Sequence, residues 1–479
     1  MSVDPVIPGM FPDPSVCRVG DDYYLACSSF EYVPGVPILH SRDLLRWELI
    51  GHALDTLSLP PEAPSSGGVY APTLRFHDGL FWLITTNVAA GGGSVIVTAT
   101  DPAGPWSEPI PVADVGIDPD LAWDEDGNCW CTSAGVGQVR LDPYTGKHLS
   151  EQRRLWSGAP GAKAPEAPHL YRIGEYWYLL IAEGGTERGH AVSIARGPSP
   201  EGPFEACPAN PILTHRGVDH PVQNTGHADL VQAADGTWWM VFLGVRPGGG
   251  TPGWHVLGRE TFLAPVTWSD GWPVVGPVTS GRPGTDVIHD DFPGPDLHPR
   301  WISVRSRPRD TWSAGGGLTL HARDRSLDDP QVTFVGLRQQ HPACRVRTSV
   351  TGTGGLAVRL DEHHHYEIET EAGEVRVVAR LGTIRHVAAA RPVPDGPVLL
   401  GVDVIAADPA DWDPRKGPDV LRFGLATPDG GLDVLAELDG RYLSTEVAGG
   451  FTGRVIGMYA GSGTACFDWF RYEPVRAAV

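Results

Sequence analysis

Residues 172–182 read RIGEYWYLLIA: a polar strand end, a glycine at Gly174, then an aromatic-rich stretch with Trp177 three residues after the glycine. Glycine supplies backbone conformations that other residues avoid, and aromatic and branched residues favour a strand. The stretch therefore reads as a β-hairpin. It has four counterparts: VGDDYYLACSS at 19–29, HDGLFWLITT at 77–86, EDGNCWCTS at 125–133 and ADGTWWMVFLG at 234–244. The turn glycines are Gly20, Gly79, Gly127, Gly174 and Gly236, spaced by 59, 48, 47 and 62 residues. Three residues beyond each stands an aromatic: Tyr23, Trp82, Trp130, Trp177 or Trp239. Further strands ending in an aromatic and a turn follow several of them, as in HSRDLLRW at 40–47 and LAPVTWSDGWP at 263–273. Units of about 50 residues with four strands each predict a β-propeller. Five units predict five blades over residues 1–275 in an all-β chain.

The first strand of a propeller blade lines the central axis. Counting back seven to nine residues from each turn glycine reaches Asp13, Pro72, Asp118, Glu166 and His227. Three of these are carboxylates, each with a proline within two residues. Asp13 lies between two prolines, in FPDPS, which predicts a rigid, extended backbone there. Acidic turns at the blade entrances are the bland alternative. Carboxylates gathered on one axis repel, and burial raises the pKa of at least one. That arrangement makes an acid and a base in one pocket, as glycoside hydrolysis requires.

The motifs FPDPS, IDPDLAWDEDG and PEAPHLYRIGEYWYLLIAEGGT resemble the three acid motifs of the family 43 glycoside hydrolases. The resemblance implies an inverting enzyme with Asp13 as general base, Glu166 as general acid and Asp118 as the residue that tunes and orients Glu166. It also implies substrate contacts. Phe30 would pack on the terminal sugar and Arg259 would hydrogen-bond it. Tyr70 stands where the family often has Trp-Ala-Pro, and Thr186 would line the leaving-group side. His227 would lie in the central channel, in a structural or water-ordering role. No cofactor is required by this reading, and no metal ligand is assigned. Calcium or water near His227 is left open, although a single His is a poor calcium site.

After a Gly/Pro-rich linker at 276–288, short alternating strands fill residues 289–479 and predict a β-sandwich. The region resembles the concanavalin-A-like domain attached to many family 43 β-xylosidases. That resemblance points to Phe451, in GGFTGRVIGMY, as a residue that closes the pocket from the second domain. An ordinary loop or core aromatic is the alternative there. In the HHH at 363–365, strand alternation puts His363 and His365 on one face. Without a further ligand motif they are not read as a metal site.

The formal net charge of −21 argues against nucleic acid or an anionic membrane as partner. Seven cysteines at irregular spacing do not read as a disulfide framework. Cys129 and Cys131 share a strand face and read as buried free thiols rather than a metal or redox pair. The N-terminal residues MSVDPVIPGM lack a basic region and an apolar core, so no signal peptide is expected, and no apolar run is long enough to span a membrane. A cytoplasmic enzyme acting on imported oligosaccharides follows as the expectation.

The function expected is removal of terminal β-D-xylose from short xylooligosaccharides. The alternative within the class is an α-L-arabinofuranosidase, or dual activity on arabinose-substituted oligosaccharides. The retaining fructan hydrolases share the propeller, but their Asn-Asp-Pro-Asn motif is not found. A non-catalytic carbohydrate-binding protein is the alternative outside the class. A homo-oligomer is left open.

Overall fold

The computed structural model describes residues 3–475 apart from 91, 92, 283, 285, 286, 324, 409 and 412. The predicted linker at 276–288 and the two chain ends therefore lie partly outside the described residues.

The five hairpins become five antiparallel sheets arranged as propeller blades, each running from the axis outward in sequence order. The inner strands are Ser15–Val19, Thr73–His77, Asp120–Trp123, Glu166–Ile173 and Gln223–Gln232. All five turn glycines have positive φ, between 61° and 85°. For Gly20, Gly79, Gly127 and Gly174 an added Cβ would meet nothing within 4 Å, so the turn demands the conformation rather than the space. The aromatics three residues on seal one blade against the next. Trp82 of blade 2 packs with Cys129 and Cys131 of blade 3. Trp130 and Trp177 share the next layer, between blades 3 and 4. Tyr23 of blade 1 meets Val231 and Val241 of blade 5. Cys129 and Cys131 are thus free, buried core thiols on one face of their strand, while Trp130 faces the other way.

The ring closes through the N-terminus. The Val6 and Ile7 amides donate to the Thr261 carbonyl, Phe11 donates to that of Arg259, and the Thr261 hydroxyl donates to that of Phe11. The segment that carries Asp13 is therefore clamped to the third strand of the last blade, Glu260–Ser269.

The C-terminal half is a β-sandwich built on two long strands, Cys344–Arg359 and Val455–Pro474, which pair along most of their length. Register shifts between Thr348 and Val350 and between Gly352 and Gly354 bend the pair. Its two ends thereby serve different neighbours: Cys344–Val350 pairs with Val398–Ala406, and Gly354–Arg359 with His364–Glu371. Strands that change layer through bulges are how sandwiches turn corners. The HHH expectation needs correction. The strand begins only at His364, His363 is exposed, and His365 is buried against Asp328, 3.4 Å away. The two do not form one ligand face, because alternation applies only inside the strand. Among the described residues the one α-helix is Thr445–Ala448, and no helix is long and apolar enough to cross a membrane.

The halves are joined by chemistry that positions the site. Ser303–Val304 pairs with Tyr32–Val33 of the propeller. Met10, Phe30 and Tyr32 share a core with Ile302, Phe334, Val455 and Tyr459. Beneath this core, Arg359 donates to Tyr32 and Glu362, and Arg305 also reaches Glu362 at 3.0 Å. These groups are buried, and planar guanidinium forks suit such shared carboxylates.

Candidate active site

In four of the five blades the counted-back residue, or the one after it, sits on an unusual backbone. Asp13, Asp118 and His227 have φ of 57°, 54° and 47°, and Ala167, after Glu166, has 49°. Asp13 is thus in the left-handed region, not extended as its prolines predict. Proline disfavours the right-handed helical region for the residue before it but does not enforce the extended one. Here the carboxylate's own contacts decide. Its oxygens accept from Ser28 Oγ at 2.5 Å and from both Arg259 Nη atoms, at 3.0 and 3.4 Å. Left-handed non-glycine residues cost on the order of 1 kcal/mol or more and persist where surroundings overdetermine them. Repetition in four of five blades makes this a shared device for pointing a polar group at the axis. Pro72 holds the corresponding place in blade 2 and brings no ionisable group.

The three acids sit in one electrostatic field but in different states. Burial acts against the Asp13 anion, yet Arg259 and the Ser28 hydroxyl outweigh it and hold its pKa below the ordinary carboxyl range. Burial and then the Asp13 charge push Glu166 up to about 7. Burial, Glu166 and Asp13 push Asp118 well above its ordinary value. Asp118 accepts from the Ala167 amide at 3.3 Å and so grips the backbone next to Glu166. The charge that lifts Glu166 comes from Asp13, while Asp118 holds the backbone beside Glu166.

Above the acids lies an aromatic wall of Phe30, Tyr70 and Phe451, with ring centres 5.7 to 5.9 Å apart. The Arg259 guanidinium lies over Phe30 and Phe451, at 5.5 and 5.3 Å. Phe451 comes from the sandwich, in a loop fixed to the propeller by its amide, which donates to Ser66 Oγ at 2.8 Å. The Ser66 amide in turn donates to buried Glu31. Thr186 accepts from Arg259 at 3.1 Å. Thr186, Arg259 and Phe451 border a cavity of about 320 Å³ shared by both domains, together with Asn224, His255 and Glu446. The structure therefore brings together Asp13, Asp118, Glu166, Arg259, Phe30, Tyr70, Thr186 and Phe451.

His227 faces Asp13, Nδ1 to Oδ1 at 3.4 Å, and burial pushes its pKa down to about 3, so it is a neutral imidazole. Calcium takes six to eight oxygen ligands. The one carboxylate in contact with His227 is already paired with Arg259, so these donors do not fit that ion. Among the described residues no group of three or more His, Cys, Asp or Glu side chains is arranged to hold a metal.

Sequence reasoning missed three features. Ser28 is an ordinary serine in sequence, visible only through its bond to Asp13. His190 packs against Gly226 so closely that a Cβ there would lie 2.3 Å from the ring, and burial pushes it down to about 4. The third is a second polar ring on the same inner strands. Arg75 bridges Asp229 at 2.8 Å and Asp120 at 2.7 Å, with Ser15, His169 and Tyr171 completing the ring. Its signal was in the sequence: Ser15, Asp120 and Asp229 stand two residues after Asp13, Asp118 and His227, one period of a strand.

Comparison with known proteins gives two family matches. Residues 3–273 match the model described as glycosyl hydrolases family 43, and residues 289–473 match the beta xylosidase C-terminal concanavalin A-like domain. A non-reducing end alpha-L-arabinofuranosidase of Bacteroides ovatus is 39% identical, covering 98% of this chain and 94% of that protein. A xylosidase/arabinosidase of Butyrivibrio fibrisolvens is 36% identical over 96% of this chain and 95% of its own length. Among solved structures, a xylan beta-1,4-xylosidase of Bacillus halodurans superposes with a TM-score of 0.86 at 29% identity, covering 99% of this chain and 100% of that one.

Proposed function

Because the chain belongs to glycosyl hydrolase family 43, we propose that it removes terminal β-D-xylose from short xylooligosaccharides, with inversion at the anomeric carbon. The observation that carries this reading is the split between Asp13 and Glu166. Asp13 is kept ionised by Arg259, while burial and the Asp13 charge keep Glu166 protonated up to about pH 7. Inverting hydrolysis needs that pair in those states at once. Glu166 gives its proton to the leaving glycosidic oxygen as the bond breaks. Asp13 takes a proton from the water that attacks the opposite face. Asp118 orients Glu166 through the Ala167 amide. Phe30, Tyr70 and Phe451 pack on the sugar, Arg259 and Thr186 meet its polar edge, and His227, neutral beside Asp13, orders the water. No metal or cofactor takes part in this scheme. The Phe451 loop, brought from the second domain, supports exo action on a chain end. The seven free cysteines suit the reducing cytoplasm, where imported fragments would be met.

A second reading keeps the same chemistry on α-L-arabinofuranosides. It is favoured by the names of the two relatives above and by the similar hydroxyls of the two sugars. The test compares kcat/KM on an aryl β-D-xyloside and an aryl α-L-arabinofuranoside, with the first product followed by proton NMR. A higher value on the xyloside and initial release of α-xylose are expected. A preference for the arabinoside would replace the substrate, and initial β-xylose would overturn the mechanism.

A further inference from the structure

On the reading above, Arg259 and Phe451 act on one sugar, yet different domains carry them. Domains of one chain shift against each other unless their interface holds them. The propeller segment 255–259 leads into Arg259, and the sandwich segment 444–454 lies against it. At one end Glu446 takes two hydrogen bonds from His255. Its Oε1 accepts from the imidazole Nδ1 at 2.6 Å and its Oε2 from the backbone amide at 2.9 Å. Burial acts against the Glu446 anion, yet these bonds hold its carboxyl below the ordinary range. His255 itself is buried. At the other end the two backbones touch. A Cβ on Gly258 would lie 2.9 Å from Gly453, and one on Gly453 would lie 2.3 Å from the Leu257 carbonyl oxygen. The Arg454 amide donates to the Val256 carbonyl at 3.0 Å. The base of the loop is locked inside the sandwich, where the buried Arg454 guanidinium donates to Asp419 and to the Gly440 and Leu443 carbonyls.

Glu446 stands five residues before Phe451, and His255 four before Arg259. Arg259 Nε is sealed without an acceptor, so its Nη bonds to Asp13 and Thr186 and the rings of Phe30 and Phe451 fix the guanidinium. Movement of the Phe451 loop would therefore disturb the arginine that keeps Asp13 ionised. A carboxylate held through both oxygens resists rotation as well as sliding, which a single contact does not. His255 and Glu446 also border the cavity of about 320 Å³ beside Thr186, so this clasp stands at the edge of the sugar site. We propose that Glu446, gripping His255, is a positioning residue. It sets how closely Phe451 of the sandwich approaches Arg259 of the propeller, and so how tightly the terminal sugar is covered. The inference rests on the sugar-binding roles given to Arg259 and Phe451 above.

The test is a double-mutant cycle of Glu446→Ala and Phe451→Ala in the full chain, on whichever of the two aryl glycosides the parent cleaves faster. A preference for the arabinoside changes the substrate proposed above and not the cycle. If the parent cleaves neither, the hydrolase reading falls, and the cycle is read instead from calorimetric binding of D-xylose or L-arabinose. Glu446→Ala should lower kcat/KM about tenfold, mainly through a higher KM. In the Phe451→Ala background the same substitution should cost less than about twofold, because the ring it positions is gone. Glu446→Gln keeps an acceptor for His255 and should recover most of the parent's kcat/KM. A merely structural role would lower Tm alike in both backgrounds and leave the KM of the folded enzyme unmoved. Should Glu446→Ala fail to fold, His255→Leu removes the imidazole donor from the opposite side and carries the cycle with the same expectation. The proposal is overturned if kcat/KM is unchanged, if the loss is the same with and without Phe451, or if Glu446→Gln behaves as Glu446→Ala does.

Discussion

Two polar rings stand one above the other in the propeller axis, on the same inner strands and two residues apart. The lower ring is settled in charge. Asp229 accepts from Arg75, Ser15, Tyr171 and the amides of Val16 and Leu230, and is pushed well below its ordinary range. Asp120 accepts from Arg75 and the Leu170 amide. The upper ring is not settled. It has three carboxylates and one guanidinium, Arg259, which is committed to Asp13. Glu166 and Asp118 answer by holding protons rather than by finding cations. One register step along a strand thus separates carboxylates that share a buried cation from Glu166 and Asp118, which are left under tension and keep protons instead. The difference lies in how many partners the fold supplies.

Asp13→Asn should give the largest effect, on activity. Loss of the base should lower kcat by on the order of 10²- to 10⁴-fold in single-turnover assays. Unchanged turnover would show that Asp13 is not the base. Arg75→Met should do the reverse. It leaves Asp120 and Asp229 buried without their cation, so denaturant unfolding should show a loss of about 3–5 kcal/mol. A variant that stayed stable but lost activity would erase the distinction between the rings.

Glu166→Gln tests the stored tension with a smaller effect. Between the ordinary carboxyl range and about pH 7 the folded chain holds a proton on Glu166 that the unfolded chain has lost. Stability must therefore fall as pH rises through that window. Gln cannot ionise, so the variant should melt above the parent at about pH 8 and close to it at about pH 4. The same substitution should remove the alkaline limb of kcat/KM, which the Glu166 titration near pH 7 sets in the parent.

The propeller was legible because its signal is local and repeated. A turn glycine and an aromatic three residues on recur five times, and each aromatic has the same task, sealing one blade against its neighbour. The upper ring was legible by counting back from those glycines, since Asp13, Asp118, Glu166 and His227 all stand seven to nine residues before them. Arg259 and Phe451 were reached only through family resemblance. Their contacts with the acids and with Phe30 join residues hundreds of positions apart, which no local pattern encodes. The lower ring went unread although its two-residue offset was present, because Arg75 makes sense only once blades 3 and 5 face it. Asp13's backbone was misjudged because proline rules describe what the chain prefers alone, and Ser28 and Arg259 override that preference.

The clamp between the N-terminus and the last blade has a bearing on how the molecule is made. Asp13 emerges early in synthesis, yet its partner Arg259 arrives 246 residues later, and Phe451 only near the end. A nascent or prematurely released chain can carry every acid and still lack the guanidinium that ionises the first of them. The ionised state of Asp13 therefore waits on the last blade, so the first acid to be made is completed by a residue synthesised long after it.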